Sequence, residues 1–388
     1  MHESHKLIYS GIILLFMFSL AYSLSRLKVP HIVSFMLAGL LAKGFVPVEY
    51  SHTFALLEYS AIALLFFFIG LEYSFERLAG MLRVIKPGLI DFILNFFPIL
   101  ALAYLLSKDL ILSLVLASAL YPSSTAITVK LLMDYKRLIF PEADFMIGLL
   151  IFEDLISIIL LSVLSGLAAG GDIGYQGAYK SIATMLVVFV AFYLLRDIFK
   201  RAFDYMEKKL DENLLVFFIF GLLLLAVGLS HQMGISEALV VFMLGVLVPE
   251  DSRVFKYIET SLTSLRELSM GIFFFFFTYK MQMESSEGLF IAFLLMLLVL
   301  TTKFASTFLA SLAYGFDKRV ALRASLSFLQ RGEFSLIFAS LYPPAKVVVF
   351  IVVLFTSILG SFNFVSAPKL TDFLFPKKRS SKAPPQAP

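Results

Sequence analysis

Long apolar segments recur along almost the whole of this 388-residue chain. A helix needs about 20 mainly apolar residues to cross a hydrocarbon core of about 30 Å. Hydrophobic residues make up 60% of the chain and charged residues 15%, which is far from a soluble composition. The sequence therefore predicts an all-α polytopic membrane protein with about thirteen transmembrane helices. The predicted spans are residues 7–25, 30–44, 53–71, 88–106, 110–132, 143–168, 178–195, 213–230, 235–248, 268–280, 288–313, 319–341 and 345–366.

The positions of the basic residues predict the orientation of these spans. The loops after odd-numbered spans and the C-terminal tail, counted together with Arg319 and Arg323 at the start of the twelfth span, hold 23 of the 32 Lys and Arg residues, and the opposite side holds 6. Because cytoplasmic loops carry the excess of positive charge, we expect a plasma-membrane protein with its N-terminus outside and its C-terminus in the cytoplasm. The formal net charge of +4 then reflects topology, and no nucleic-acid partner is expected.

The two halves of the chain resemble each other. EYSAIALLFFF (58–68) matches ELSMGIFFFFF (267–277) at an offset of 209. MLAGLLAKGFVP (36–47) resembles MLGVLVPE (243–250). Each pair is separated by seven predicted spans, and an odd separation inverts the second copy in the membrane. The sequence thus predicts two inverted-topology repeats, the plan of many secondary transporters. Their predicted bounds are about 7–168 and 213–366, with a linking helix at about 178–195.

Each half also contains a polar interruption deep inside a predicted span. The fifth span contains YPSST (121–125), and the twelfth contains QRGEF (330–334). Pro122 removes a backbone donor and disfavours helical geometry at the residue before it, so the helix is expected to open there. Gly332 marks the matching break. Two crossing discontinuous helices are therefore predicted, and such helices point to a substrate site.

The side chains at these breaks suit an ion site. Ser123, Ser124 and Thr125 can satisfy the freed backbone groups or act as cation ligands. The ends of half-helices at the bilayer midplane carry partial charges that need compensation. Arg331 and Glu333 are the residue types for that role, so we expect them to compensate these charges.

Two adjacent carboxylates, Glu153 and Asp154, stand in the otherwise apolar run LLIFEDLISI (149–158). They lie about ten residues, or roughly 15 Å, into the sixth span and hence near the bilayer centre. A charge there is costly, so such residues pair, line a cavity or mark an ion or proton pathway. Lys303 lies at similar depth in the eleventh span and can neutralise one carboxylate. Competition of a monovalent cation and a proton for the other carboxylate is by itself an exchange mechanism.

Other functions lack their sequence signals. The chain has no Cys, which excludes disulfides and thiolate metal sites. It contains no HExxH, no GxSxG and no phosphate-binding glycine loop, and adjacent acids on one helix diverge by about 100°, unlike the paired acids of an intramembrane protease. We therefore expect no enzyme activity and no cofactor besides the transported cation and proton. A channel would need a selectivity-filter motif, which the sequence does not contain.

Several motifs together carry a family resemblance. They are YPSSTA (121–126), FEDLISI (152–158), LTTKFAST (300–307), RGEFSLI (331–337) and GLEYSFERL (70–78). In this order, and over nearly the whole chain, they resemble the second family of monovalent cation/proton antiporters, which contains NapA-type sodium/proton exchangers and Kef-type potassium systems. The resemblance implies a NapA/NhaA-like fold, a homodimer in membrane lipid, and elevator-type movement of a core formed by about 88–168 and 288–366. The remaining helices are expected to form the dimerisation domain.

The resemblance also implies roles for individual residues. Asp154 is expected to carry the cation and the proton in turn, with the transported Na⁺ between Asp154 and Thr125. Glu153 is expected to pair with Lys303. Sodium, and lithium with it, is the expected cation, and potassium/proton exchange or a Kef-like potassium efflux pathway is the alternative. NapA-like members have Asp, and Kef-like members Gln, where this chain has Glu153, so the stoichiometry stays open.

The chain is expected to form one transporter domain, at residues 1–376. Residues 377–388 are Pro-, Lys- and Ser-rich and are expected to form a disordered cytoplasmic tail. Kef-type systems carry a long nucleotide-binding domain after the last span, and we expect no such regulatory domain in this chain.

Overall fold

The computed structural model of the protein is helical throughout the regular elements that it describes. It describes residues 2–27, 29–47, 54–72, 82–170, 175–209, 212–282 and 286–375, so part of the GLEYSFERL motif and the predicted tail lie outside the described residues. The helices are α1 (His2–Ser25), α2 (His31–Ala42), α3 (Ala55–Glu72), α4 (Leu82–Ser107), α5 (Leu110–Leu120), α6 (Thr125–Asp134), α7 (Pro141–Gly170), α8 (Tyr175–Lys209), α9 (Glu212–Met233), α10 (Glu237–Val246), α11 (Arg253–Tyr279), α12 (Ser286–Tyr314), α13 (Lys318–Ser327), α14 (Glu333–Leu341) and α15 (Lys346–Leu374), with a 3₁₀ turn at Pro343–Ala345 before α15.

Many of these helices are long and apolar enough to cross a membrane. By length and composition, 7 segments of the described chain qualify. They are His5–Ser25, Arg83–Ser107, Leu110–Asp134, Pro141–Ser165, Leu214–Met233, Gly288–Tyr314 and Pro343–Leu374. The shorter helices α2, α3 and α10 are also apolar. The chain is therefore a multi-pass membrane protein, and the count of about thirteen spans stays a prediction.

The fifth and twelfth predicted spans are both broken, as the sequence predicts. The first break separates α5 from α6, and the second separates α13 from α14. At the first break Ser124 caps α6, because its hydroxyl accepts a hydrogen bond from the backbone N–H of Ile127 (3.3 Å). At the second break Gly332 precedes α14 and supplies no side-chain cap.

Two helices are much longer than the spans predicted for them. The helix α8 continues to Lys209, although the apolar run ends near residue 195, and α11 begins at Arg253 instead of near residue 268. Val254, Ile258 and Leu262 recur every four residues and are buried, so one face of the early turns of α11 is apolar. A search for continuous apolar runs detects the membrane portion of such a helix and misses its amphipathic extension.

The helices pack in two groups. In the first group α4 packs against α5, α7 and α12, while α12 also packs against α13 and α15. In the second group α2 and α3 pack against α11, and α3 also packs against α10. The division into a core and a dimerisation domain stays a prediction.

Within the second group the helices approach backbone to backbone. A Cβ atom on Gly39 of α2 would overlap the carbonyl oxygen of Phe275 in α11. A Cβ atom on Gly245 of α10 would likewise overlap the carbonyl oxygen of Phe67 in α3. The second helix of each predicted repeat thus contacts the third helix of the other, which is the arrangement expected of paired inverted copies.

The two groups meet at several helix pairs, which include α7 with α10 and α11 with α14, and an aromatic pair joins α3 to α14. The rings of Phe66 and Phe334 meet edge to face with their centroids 5.4 Å apart. Such aromatic pairs contribute about 0.5–1.5 kcal/mol beyond the area that they bury. This contact lies next to Glu333, so it adjoins the charged residues at the second break.

Candidate ion-binding site

The two helix breaks touch each other inside the first group of helices. The backbone N–H of Ser124 donates a hydrogen bond to the carbonyl oxygen of Gln330 (2.9 Å). A Cβ atom on Gly332 would overlap the Ser124 side chain, so this close approach requires a residue without a side chain. Pro122 follows directly on the end of α5, as the sequence predicts. The two breaks therefore meet through their backbones.

Glu333, the first residue of α14, places its carboxylate at the start of the other half-helix, α6. One carboxylate oxygen accepts a hydrogen bond from the Ser124 hydroxyl (3.0 Å), and the other accepts one from the backbone N–H of Ala126 (3.4 Å). The N-terminus of a helix carries a positive partial charge that a carboxylate stabilises. This geometry fits the compensating role that the sequence suggests for Glu333.

Arg331 and Asn95 supply donors on the opposite side of the crossing. Nη1 of Arg331 donates to the Ser123 hydroxyl (3.1 Å), and Nη2 donates to Oδ1 of Asn95 (3.5 Å). Nδ2 of Asn95 donates to the carbonyl oxygen of Tyr121, where α5 has just ended (3.1 Å). All four residues are buried. The negative end of α5 is thus stabilised by an amide and, close by, a guanidinium group.

Glu153 and Asp154 engage different partners. Oε2 of Glu153 accepts a hydrogen bond from the backbone N–H of Ser123 (2.5 Å), and Oε1 accepts one from Nζ of Lys303 (2.5 Å). Oδ2 of Asp154 accepts a hydrogen bond from the Thr125 hydroxyl (3.1 Å). Consecutive side chains on a helix diverge by about 100°, which explains this division. Both acids therefore meet the first break, one at its backbone and the other at a hydroxyl group.

Sequence reasoning missed a third buried acid at this site. Both carboxylate oxygens of Asp91 lie 3.0 Å from Nζ of Lys303, and the Ser306 hydroxyl donates to Oδ1 of Asp91 (2.6 Å). Asp91, Glu153 and Lys303 are all 0% exposed. The expectation that Lys303 serves one carboxylate is therefore incomplete, because it lies between two.

A signal for Asp91 does exist in the sequence. Asp91 is a lone acid in the apolar run GLIDFILNFF (88–97), and Asn95 follows it by one helical turn. Residues four apart share one face of a helix, so these two residues give α4 a short polar stripe in an apolar setting. The rule that applies to Glu153 and Asp154, that a buried charge in a span is costly, applies to Asp91 as well.

The half-helices differ in their exposure. Thr125 is partly exposed, and Ala126 and Lys130 are exposed, so one face of α6 is open. In α14, by contrast, all residues from Glu333 to Ala339 are buried. Asp154 itself is 4% exposed and lies beside Thr125, so the open face of α6 leads toward the Asp154 carboxylate. The carboxylate of Asp154 and the hydroxyl of Thr125 are two oxygen ligands of the kind that a small monovalent cation accepts.

Comparison with protein families gives a match over most of the chain. Residues 12–365 match the model of a family described as sodium/hydrogen exchanger, transmembrane. The ammonium/H⁺ antiporter subunit AmhT of Alkalihalophilus pseudofirmus is 32% identical over 380 residues, which are 96% of each chain. The K⁺/H⁺ antiporter subunit KhtU of Bacillus subtilis is 27% identical over 77% of this chain and 75% of its own.

Solved structures give a match in fold. The sodium/proton antiporter MjNhaP1 of Methanocaldococcus jannaschii at pH 8 superposes with a TM-score of 0.69 over 96% of this chain and 98% of its own. Its sequence is 18% identical, so this likeness concerns the arrangement of the helices.

Proposed function

The chain belongs to the sodium/hydrogen exchanger family and is a monovalent cation/proton antiporter, and we propose from this premise that the cation and the proton compete for the Asp154 carboxylate. The observation that carries the proposal is the position of Asp154 between the first helix break and the open face of α6. Its carboxylate accepts a hydrogen bond from Thr125, whose hydroxyl supplies a second oxygen ligand. A single carboxylate holds either the cation or the proton, so binding of one releases the other.

The other charged residues of the site keep Asp154 in position. Lys303, with Glu153 and Asp91, fixes α7 against α4 and α12, and Glu333 and Arg331 compensate the half-helix ends. Ser123 and Ser124 connect those charges to the backbone of the break. These residues determine where Asp154 lies relative to Thr125.

The movement is proposed to be of the elevator type. The first group of helices carries the site and moves as a body against the second group, with the aromatic contact between α3 and α14 at their boundary. The predicted topology places α6 in the cytoplasmic half of the membrane, so the open face of α6 corresponds to a site loaded from the cytoplasm. The second group is proposed to pair with its counterpart in a homodimer in the plasma membrane.

The family resemblance favours Na⁺, and Li⁺ with it, as the transported cation. The relatives make K⁺ the second candidate, together with ammonium, because the two compared in sequence are named for ammonium and K⁺. Potassium and ammonium ions are similar in size, and both are larger than Na⁺. The site can accommodate the larger pair if Thr125 and Asp154 remain further apart than Na⁺ requires.

The test is proton movement in proteoliposomes with an imposed pH gradient. Na⁺, Li⁺, K⁺ and ammonium are added in turn to the wild type and to Asp154→Asn, with the collapse of the gradient followed by an enclosed dye. We expect at least one cation to dissipate the gradient in the wild type and none to do so in the variant. Asp109→Asn, which alters the acid that caps α5 away from the site, is the matched control and should keep its activity. Cation-dependent proton movement that survives in Asp154→Asn would refute the assignment of Asp154.

A further inference from the structure

We infer that Asp91 is a positioning residue that keeps Lys303 as a fixed counter-charge, so that each cycle exchanges one cation for one proton without net charge movement. The inference rests on the proposed function, because it assigns the charge moved by the same site. The geometry points to it because Lys303 is held between two carboxylates instead of one.

The contacts of Asp91 are those of a charged anchor. Both of its oxygens lie 3.0 Å from Nζ of Lys303, and Ser306 orients one of them with a hydrogen bond of 2.6 Å. Glu153 contacts the same Nζ atom from α7. The helices α4, α7 and α12 each contribute one of the three charged groups. If Lys303 loses its contact with one acid, it therefore keeps its contact with the other.

Asp91 brings a second buried acid to Lys303, while Glu333, which is also buried, bonds to Ser124 and Ala126 instead. Asp91 and Glu153 contribute two negative charges, and Lys303 and Arg331 contribute two positive charges, all in buried side chains. Loss of the Lys303 proton would leave two carboxylates close together in a poorly solvated interior, which is costly. Among the described contacts they would keep hydrogen bonds from the Ser306 hydroxyl and the Ser123 backbone, and neither of these donors is charged. Lys303 therefore stays charged while the load on Asp154 changes.

A Lys303 side chain that keeps its charge fixes the charge carried in each direction. On one face of the membrane the Asp154 carboxylate releases one proton as it binds one monovalent cation, and on the other face the reverse exchange takes place. Asp154 has one positive charge bound in both loaded forms, and the four residues of the crossing contribute no net change. The two loaded forms thus carry equal charge, and the membrane potential does no work on the exchange.

Replacing Asp91 by Asn removes the second anchor and leaves the volume of the side chain nearly unchanged. Lys303 would then pair with Glu153 alone, so loss of its proton would leave one carboxylate without a counter-charge instead of two. Arrival of a cation at Asp154 would drive the proton off Lys303, and two protons would exchange for one cation. One net charge would move in each cycle, so that 100 mV would shift the equilibrium cation ratio about fifty-fold.

The experiment measures proton movement and transport current in the same proteoliposomes. The probes are rapid increases in the concentration of Na⁺ and then of K⁺. Proteoliposomes adsorbed on a capacitive electrode report the current, and proteoliposomes that enclose a pH dye report the proton movement. We expect the wild type to move protons without current, and Asp91→Asn to add a current equal to one charge per cation. Asp109→Asn loses a carboxylate away from the site and should stay without current.

Each outcome decides a separate point. A wild-type current of one charge per cation would overturn the inference. Transport by Asp91→Asn that is slower than in the wild type but still without current would overturn it too, because a merely structural role of Asp91 predicts that result. If Asp91→Asn does not fold, Asp91→Ser, which leaves room for water beside Lys303, is measured in its place, with the same expected current. Absence of any cation-dependent proton movement in the wild type would instead refute the proposed function.

Discussion

Glu153 and Asp154 are neighbours in sequence, yet the structure gives them opposite surroundings. Glu153 is 0% exposed and accepts hydrogen bonds from a backbone N–H and from Lys303. Asp154 accepts a hydrogen bond from Thr125, a partly exposed residue on the open face of α6. One acid is thus fixed by charge and backbone, and the other bonds to the hydroxyl of a partly exposed residue. Two adjacent carboxylates in one span therefore differ in their contacts, and the proposed function assigns Glu153 as the anchor and Asp154 as the carrier.

The largest difference between the two surroundings should appear in stability. Lys303→Gln leaves Asp91 and Glu153 buried without their counter-charge, and we expect a loss of about 3–5 kcal/mol in the free energy of unfolding. Asp154→Asn keeps the hydrogen bond from Thr125 and should stay within about 1 kcal/mol of the wild type. Thermal unfolding of both variants in the same detergent measures the contrast. Equal losses in the two variants would show that Asp154 is an anchor as well.

A smaller effect should follow from the close approach that brings both acids to the first break. Gly332→Ala places a Cβ atom against Ser124, and overpacking of this kind costs about 1–3 kcal/mol. Gly221→Ala in α9 is the matched control, because a Cβ atom there meets open space. The comparison uses thermal unfolding and the rate of cation-dependent proton movement. A Gly332→Ala protein as stable and active as the control would mean that the two breaks can separate without consequence.

The smallest effect is expected from loss of the contact between Thr125 and Asp154, and it should change the cation dependence of exchange. Thr125→Val removes one oxygen ligand and the hydrogen bond to Asp154, worth about 1 kcal/mol, which corresponds to a five- to ten-fold rise in the cation concentration for half-maximal exchange. Stability should hardly change. Thr301→Val is the control, because its hydroxyl bonds only to carbonyl groups of its own helix among the described contacts. An unchanged cation dependence in Thr125→Val would remove Thr125 from the cation site.

Local sequence patterns predict much of this architecture. Pro122 and Gly332 predict the two breaks, because the geometry of each residue type limits the backbone around it. The depth of Glu153, Asp154 and Lys303 in their spans predicts that they belong to one buried polar site. The two breaks can be predicted because each depends on residues close together in the chain, whereas the pairing of Glu153 with Lys303, which are 150 residues apart, is what the family resemblance implies.

The contacts that the sequence did not predict join distant parts of the chain. Asp91 and Lys303 are 212 residues apart, and nothing in either segment specifies the other as its partner. The division of labour between Glu153 and Asp154 also depends on where α4, α6 and α12 lie around α7. A helical wheel gives the angle between the two side chains, but it does not give the identity of the helix on each side.

The glycine contacts of the second helix group have a mechanical consequence. Where Gly39 and Gly245 bring backbones together, no flexible side chain separates the helices, and close-packed surfaces of this kind resist sliding. We therefore expect the group formed by α2, α3, α10 and α11 to be stiff and to move as one body. Phe66 and Phe334 meet through rings that can rotate about their own bonds, so shear is easiest at that boundary. If the proposed elevator movement takes place, we expect stiffness on one side and softer contacts on the other to confine the displacement to the boundary between the groups.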